Sequence, residues 1–383
     1  MPVRKFLSAA LLGVTIASIF WSAGAEASFE MNMTPGVTSI SHDVYHLHML
    51  SLGLVTVIAV IVFGIMIWSL YHHRKSKGAI PAQFHHSTKM EIIWTVIPII
   101  VLVAFAIPAT KTLIIMSQTQ NPDLTIKITG YQWKWRYDYL DQGFGFFSAL
   151  VPEQEKASQL DSGIDVTKIK DYLMKVDNPV VIPAGKKVRL LTTSNDVIHS
   201  WWVPALGWKK DAIPGYINDN WTKVDKIGTY YGRCAELCGK GHAFMPIVLK
   251  VVSDKDFDTW AKQMKQKQAA AAAGANRTWT KEELIARGQK VYNTTCVPCH
   301  QDHGQGLPPT FPALTGSKTV NGPVSEHINT VLNGRPGTAM QAFRKQLNVV
   351  DLAAVITFER NDLGNHVGDI VQPRDIQAAE NKK

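Results

Sequence analysis

The sequence predicts a multidomain chain: a two-helix transmembrane hairpin, then an exported β-sandwich or barrel, then a small all-α domain. Three observations carry that prediction. Two uninterrupted apolar stretches lie in the first third, period-two alternation begins at Asp123, and the four cysteines form two close pairs in different settings. With 383 residues there is room for three domains. The average composition, 46% hydrophobic and 19% charged, conceals this division. Net charge is +9, but part of it sits in the leader and one short loop, and no folded segment carries the basic face that nucleic acid needs. Nucleic acid is excluded as a partner.

The chain opens with MPVRKFLSAALLGVTIASIFWSAGAEAS. Arg4 and Lys5 precede an apolar run, and small residues offer cleavage at Ala25 or Ala27, so 1–27 reads as a signal peptide rather than a retained anchor. Within 28–118, residues 49–70 carry no charge and are long enough to cross a bilayer as a helix. A second span covers about 92–113, with Pro98 and Pro108 tolerated where neighbouring groups satisfy the freed carbonyls. The loop between them holds Arg74, Lys75, Lys77 and Lys89, with no acid until Glu91. Short loops rich in Lys and Arg stay cytoplasmic, so everything beyond Gln118 is exported. His42, His46, His48, His72, His73, His85 and His86 are expected at the membrane boundaries. Glu91, at the cytoplasmic edge of the second span, suits either a boundary anchor or a proton entrance.

From Asp123, Leu124, Ile126 and Ile128 alternate with Thr125, Lys127 and Thr129, which predicts a half-buried strand. Further strands are expected at 180–182, 188–192, 221–224 and 245–252, separated by Pro/Gly turns. Several short strands with such turns predict a sandwich or barrel over 119–255. Segment 143–175 does not fit and reads as an insertion.

Within this β region, RCAELCGKGHAFM (233–245) gathers Cys234, Cys238, His242 and Met245, and NDVIHSWWVP upstream adds His199. A disulfide is reasonable for two exported cysteines. Histidine and methionine in the same loop favour a soft-metal site, because thiolate and thioether select copper and imidazole suits it. A single blue-copper centre would leave the second thiol unexplained. The donors fit a dinuclear copper centre bridged by both thiolates, with one histidine on each metal.

The stretches EIIWTVIP, GYQWKWRYDY, DVIHSWWVPALGWKKDAIPG and GRCAELCGKGHAFMPI resemble subunit II of haem-copper cytochrome c oxidases, over about 49–252. The resemblance implies two transmembrane helices, a cupredoxin-like β-barrel and a mixed-valence copper pair. It assigns Cys234 and Cys238 as bridges, with His199, His242, Met245 and the Glu236 carbonyl as further ligands. The Glu236 side chain would help hold a magnesium ion shared with subunit I. Trp133 matches the position where electrons are admitted, Asp196 and Asp211 match acids near the docking and metal regions, and Glu91 matches the mouth of a proton pathway. Tyr131 departs from the family, where histidine is frequent.

After Asp254, KQMKQKQAAAAAGANR reads as a linker over 256–277. Thr280 and Glu283 then stand in capping-box spacing and predict a helix start. That helix leads to TTCVPCHQDHGQG, whose C-x-x-C-H is the attachment signature of c-type haem: Cys296 and Cys299 bond the haem and His300 ligates its iron. Met340, the one methionine beyond Cys299, is the candidate sixth ligand. A closing helix is expected from Asp351 to about Asn361. Residues 278–365 resemble a class I cytochrome c domain, a module found fused to some bacterial subunits II, with RNDLG (360–364) in place of RNSWG. Residues 366–383 read as a tail.

Together these features point to the electron-input subunit of a terminal cytochrome c oxidase in a bacterial inner membrane, with metal and haem domains on the outer side of the bilayer. The cofactors implied are two copper ions, one haem c and a shared magnesium. Expected partners are subunit I, which reduces oxygen, subunit III, and a donor cytochrome c or quinol:cytochrome c reductase. A membrane-anchored copper-binding or copper-delivery protein, or another copper-pair reductase, would explain the soft ligands. Neither would explain the haem attachment together with the paired spans and Glu91.

Overall fold

Helix α1 (Ser39–His72) begins at a reciprocal cap, in which Thr38 Oγ1 accepts from the Ser41 amide and Ser41 Oγ accepts from the Thr38 amide, both at 2.9 Å. The computed structural model describes residues 32–81, 83, 85–159 and 162–381, so the expected leader lies outside the described residues. Helix α2 (Thr88–Met116) returns antiparallel and carries Pro98 and Pro108 inside it. Both helices are longer than the apolar spans at 49–70 and 92–113. The first turns of α1 are polar and fastened to the β domain, so the helix continues beyond the apolar run. Both spans expose their apolar side chains all round, as a lipid environment requires. The ends nearest the β domain are tied to it. Thr38 Oγ1 donates to the Leu206 carbonyl, and Trp221 Nε1 donates to the Ile115 carbonyl.

Among the described residues the β domain has ten strands: β1 (Leu124–Tyr131), β2 (Lys134–Tyr139), β3 (Phe144–Ser148), β4 (Val180–Pro183), β5 (Val188–Ser194), β6 (His199–Val203), β7 (Trp208–Ala212), β8 (Asn218–Thr222), β9 (Gly228–Cys234) and β10 (Pro246–Val252). They form two five-stranded mixed sheets, β3-β2-β1-β5-β8 and β4-β10-β9-β6-β7. The alternation in β1 buries Leu124, Ile126 and Ile128, and the core is completed by Trp135, Tyr137, Tyr139 and Trp201. The strand expected at 221–224 lies at Asn218–Thr222 instead, because Asn220 and Thr222 supply its buried face and hide the apolar signal. Part of the presumed insertion is β3, whose Phe144 and Phe146 face the core. After β3, helix α3 (Pro152–Ala157) leaves the sandwich.

The stretch 256–277, expected as a linker, is largely helix. Helix α4 (Asp254–Ala273) is capped by Ser253 Oγ, which accepts from the Asp256 amide. Alanine, lysine and glutamine are strong helix formers, and Phe257 and Ala261 anchor the first turns in the β core. The C-terminal domain comprises α5 (Lys281–Thr295), α6 (Val297–His300), α7 (Lys318–Asn321), α8 (Val324–Asn333), α9 (Val349–Asn361) and α10 (Pro373–Glu380). The segment expected as a tail belongs to this fold: Val371 and Ile376 are fully buried in its core.

Candidate functional site

Strand β6 begins at His199 and β9 ends at Cys234. The two strands pair antiparallel with Trp201 opposite Cys234, which brings both side chains to one edge of the sheet. Strand β10 starts directly after Met245 and pairs with β9, so the 235–245 loop closes over that same edge. His199, Cys234, Cys238 and Met245 are buried there. Cys234 Sγ lies 3.9 Å from His199 Nδ1, 3.3 Å from the Glu236 carbonyl oxygen and 3.8 Å from Cys238 Sγ. Cys238 Sγ lies 3.6 Å from both His242 Nδ1 and Met245 Sδ. A disulfide needs about 2.05 Å between sulfurs, and both cysteines are free.

The two thiols titrate as a pair. A hydrogen bond from Cys238, with His199 and nearby amides, holds Cys234 far below the usual thiol range; beside that thiolate, Cys238 is pushed far up. His199 is pulled down by burial, but the Asp196 carboxylate and the Cys234 sulfur outweigh this and raise it. His199 Nε2 lies 2.8 Å from Asp196 Oδ1, which orients the ring so that Nδ1 faces the sulfurs. Asp196 Oδ2 in turn accepts from the Gln132 amide at 2.8 Å. Gly130 makes room for the imidazole, since a Cβ there would stand 2.7 Å from the His199 ring. The donor set is soft, close and water-poor, and it fits copper.

Trp133 is buried against the same loop, and its Nε1 donates to the Cys238 carbonyl at 3.0 Å. Gly241 lies beneath its ring, where a Cβ would come within 2.3 Å.

In the C-terminal domain, Cys296, Cys299 and His300 share one turn at the end of α5 and in α6. His300 Nδ1 donates to the Pro312 carbonyl at 2.9 Å, which leaves Nε2 available to an iron. Burial pushes the Cys299 thiol to about 11 and Cys296 well above the ordinary thiol value. Met340 is half-buried in the Gly/Pro-rich loop between α8 and α9, where its carbonyl accepts from the Arg335 amide. These residues fit a covalently attached haem.

Three family models match the chain. Cytochrome C oxidase subunit II, transmembrane domain, covers residues 26–112, and its periplasmic domain covers 124–252. Cytochrome C oxidase, cbb3-type, subunit III covers 283–358. The probable cytochrome c oxidase subunit 2 of Rickettsia bellii is 39% identical over 266 residues, 70% of this chain and 94% of the relative. The chain belongs to the cytochrome c oxidase subunit II family. Cytochrome c oxidase subunit 2 of Arabidopsis thaliana is 38% identical over 250 residues, 63% of this chain and 88% of that one. The solved periplasmic domain of subunit II of cytochrome oxidase from Bradyrhizobium japonicum shares 44% identity, covering 39% of this chain and 99% of its own, with a TM-score of 0.34.

As a subunit II with a cytochrome c domain, the chain is a membrane-anchored, copper- and haem-c-type electron-input component of a haem-copper oxidase complex served by cytochrome c donors. Glu91 is exposed in the first turn of α2. Glu236 is half-buried, with its carbonyl oxygen beside Cys234 Sγ, and Tyr131 packs edge-on against Phe147. Asp211 sits on β7, where its carbonyl accepts from Thr192 Oγ1 and Asn218 Nδ2. Phe311, Gln132 and Lys240, which surround Trp133, carried no metal-ligand signature. The available signal was that Phe311 is the one Phe, Tyr or Trp between His300 and Phe343.

Proposed function

We propose that this subunit II takes electrons at a haem c held by Cys296 and Cys299, with His300 and Met340 on its iron, and delivers them through two copper ions to subunit I. The copper ligands are Cys234 and Cys238 as bridges, His199, His242, Met245 and the Glu236 carbonyl. The observation that carries this reading is the buried set of two free thiols, two imidazoles, a thioether and a carbonyl within 3.9 Å steps of one another. That is one thiolate too many for a single blue-copper centre. When bound, the haem and the copper pair each supply a one-electron redox step, and oxygen chemistry belongs to subunit I. Asp196 orients His199, the 235–245 loop excludes water, and Trp133, hydrogen-bonded to the Cys238 carbonyl, is where electrons enter the copper domain.

In the same reading, the copper domain is 119–255 and the haem domain starts near 278. Both lie on the periplasmic side of a bacterial inner membrane. The Glu236 carboxylate helps hold a magnesium ion shared with subunit I, Glu91 serves a proton pathway, subunit III completes the complex, and the donor is a cytochrome c or quinol:cytochrome c reductase. Metal analysis with a visible and near-infrared spectrum of the purified chain tests the centres. Two coppers per c-type haem with a mixed-valence near-infrared band are expected. Haem without copper, after copper has been supplied, overturns the copper assignment.

A further inference from the structure

Segment 143–175 takes no part in either ligand set, and once β3 is complete the sandwich does not need it. Its helix α3 lies against α5 and α6, the helices that flank and carry the haem-attachment cysteines. A cavity of about 230 Å³ lies where the three regions meet, lined by Glu155 of the insertion, Trp133 and Lys240 of the copper domain, and Pro298 of the haem domain. The same boundary carries polar contacts. Lys240 Nζ donates to the Pro298 carbonyl at 3.0 Å, and Gln341 Nε2 donates to the Gln132 carbonyl at 3.2 Å. The buried Lys134 ammonium lies between the Phe147 ring of β3, at 4.6 Å, and the Phe343 ring of the haem domain, at 5.7 Å.

At the centre of this boundary the Phe311 and Trp133 rings meet edge to face, 6.4 Å between centroids and 82° between planes. Phe311 precedes Pro312, whose carbonyl holds His300, and Trp133 is hydrogen-bonded to the Cys238 carbonyl. His300, Pro312, Phe311, Trp133 and Cys238 thus run from one ligand set to the other with a single through-space step between two rings. Trp133 is only 8% exposed, so a separate donor has little of its ring to touch while the haem domain sits there.

We propose that Phe311 is the positioning residue that couples the haem domain to Trp133, and that α3 with Lys134 and Lys240 forms the cradle holding it in register. The copper domain then receives electrons from the chain's own haem domain rather than from a protein docked on Trp133. This rests on the functional reading above. The step moves one electron: the haem side is oxidised by one, the copper side is reduced by one, and no bond is made or broken.

The test is flash photoreduction of the haem in the whole oxidase, following the copper near-infrared band, with both midpoint potentials measured alongside. Phe311→Ala is expected to slow transfer on the order of tenfold, as loss of positioning does, with spectra and potentials unchanged, and Phe311→Tyr is expected to restore it. A wild-type rate in Phe311→Ala, or slowing explained by a shifted potential, overturns the relay. Hydrogen exchange over 152–157 and 296–300 is read in the same variant. Wild-type protection supports the ring-specific role, whereas lost protection makes Phe311 a docking residue and overturns the relay. Replacing 152–157 with glycine and serine is expected to deprotect 296–300; unchanged protection there overturns the cradle. Failure of transfer in the wild-type protein would instead strike the functional reading.

Discussion

Two cysteine pairs in one chain, with 57 residues between Cys238 and Cys296, are tuned in opposite directions. Cys234 and Cys238 sit beside each other, two imidazoles and several amides, so one proton leaves easily and a thiolate results. Cys296 and Cys299 are half-buried without such donors, and desolvation raises both thiols. Burial alone disfavours the charged form, and what distinguishes the pairs is whether hydrogen-bond donors accompany it. A thiolate is the form that ligates a metal, and the first pair is the one whose surroundings favour it. The candidate copper donors gather at the ends of three strands and in the loop that joins two of them, whereas the sixth haem ligand candidate lies in a separate loop.

The sharpest way to break this contrast is to remove one sulfur from the first pair. Cys234→Ser is expected to abolish the mixed-valence near-infrared band and the copper content while leaving the haem spectrum intact. Residual paired copper would mean that the thiolates do not bridge. His300→Ala is the converse: haem-mediated electron input is lost while copper stays bound, as read by reduction of the copper band from the native donor.

Smaller effects sharpen the comparison. In the haem domain, His327 Nε2 donates to Glu359 Oε2 at 2.9 Å, and both residues are almost fully buried. His327→Ala removes the imidazole partner of that buried carboxyl group and is expected to destabilise the domain by about 1–3 kcal/mol, measured by thermal or denaturant unfolding. Asp196→Asn weakens the hold on His199 and should lower copper affinity by about 10–100-fold, measured by competition with a chelator. At the boundary between domains, burial raises Glu155 to about 7, against partial relief from Gln159 and Lys240. The folded state binds this proton more tightly than the unfolded chain, so stability falls as pH rises from the ordinary carboxylate range to about 7, then levels off. Glu155→Gln is expected to remove that slope and add about 2 kcal/mol above neutral pH, seen as a flatter plot of melting temperature against pH.

Much of this was readable in the residues before any fold was known. Apolar runs longer than a bilayer, lysines in one short loop, and C-x-x-C-H are local signals with physical causes that do not depend on distant partners. The candidate copper donors were also legible, because the loop concentrates four of them in twelve residues and softness restricts what they can bind. Helix α4 was misread because alanine and glutamine tracts look alike as helix and as linker. What anchors that helix is Phe257 and Ala261 against a core formed more than a hundred residues earlier. The expected tail failed for the same reason: Ile376 is buried only because α9 and its neighbours are there to cover it.

By itself, then, the sequence determined the membrane hairpin, the β-to-helical order of the modules and the chemical character of both centres, since hydrophobic length, periodicity and ligand softness are written residue by residue. The tertiary structure alone decided that the two thiols of the first pair share one hydrogen-bonded environment, how Asp196 aims His199, and that Phe311 meets Trp133. Those depend on groups brought together across up to about 180 residues of chain, where burial and geometry, not composition, set the energies.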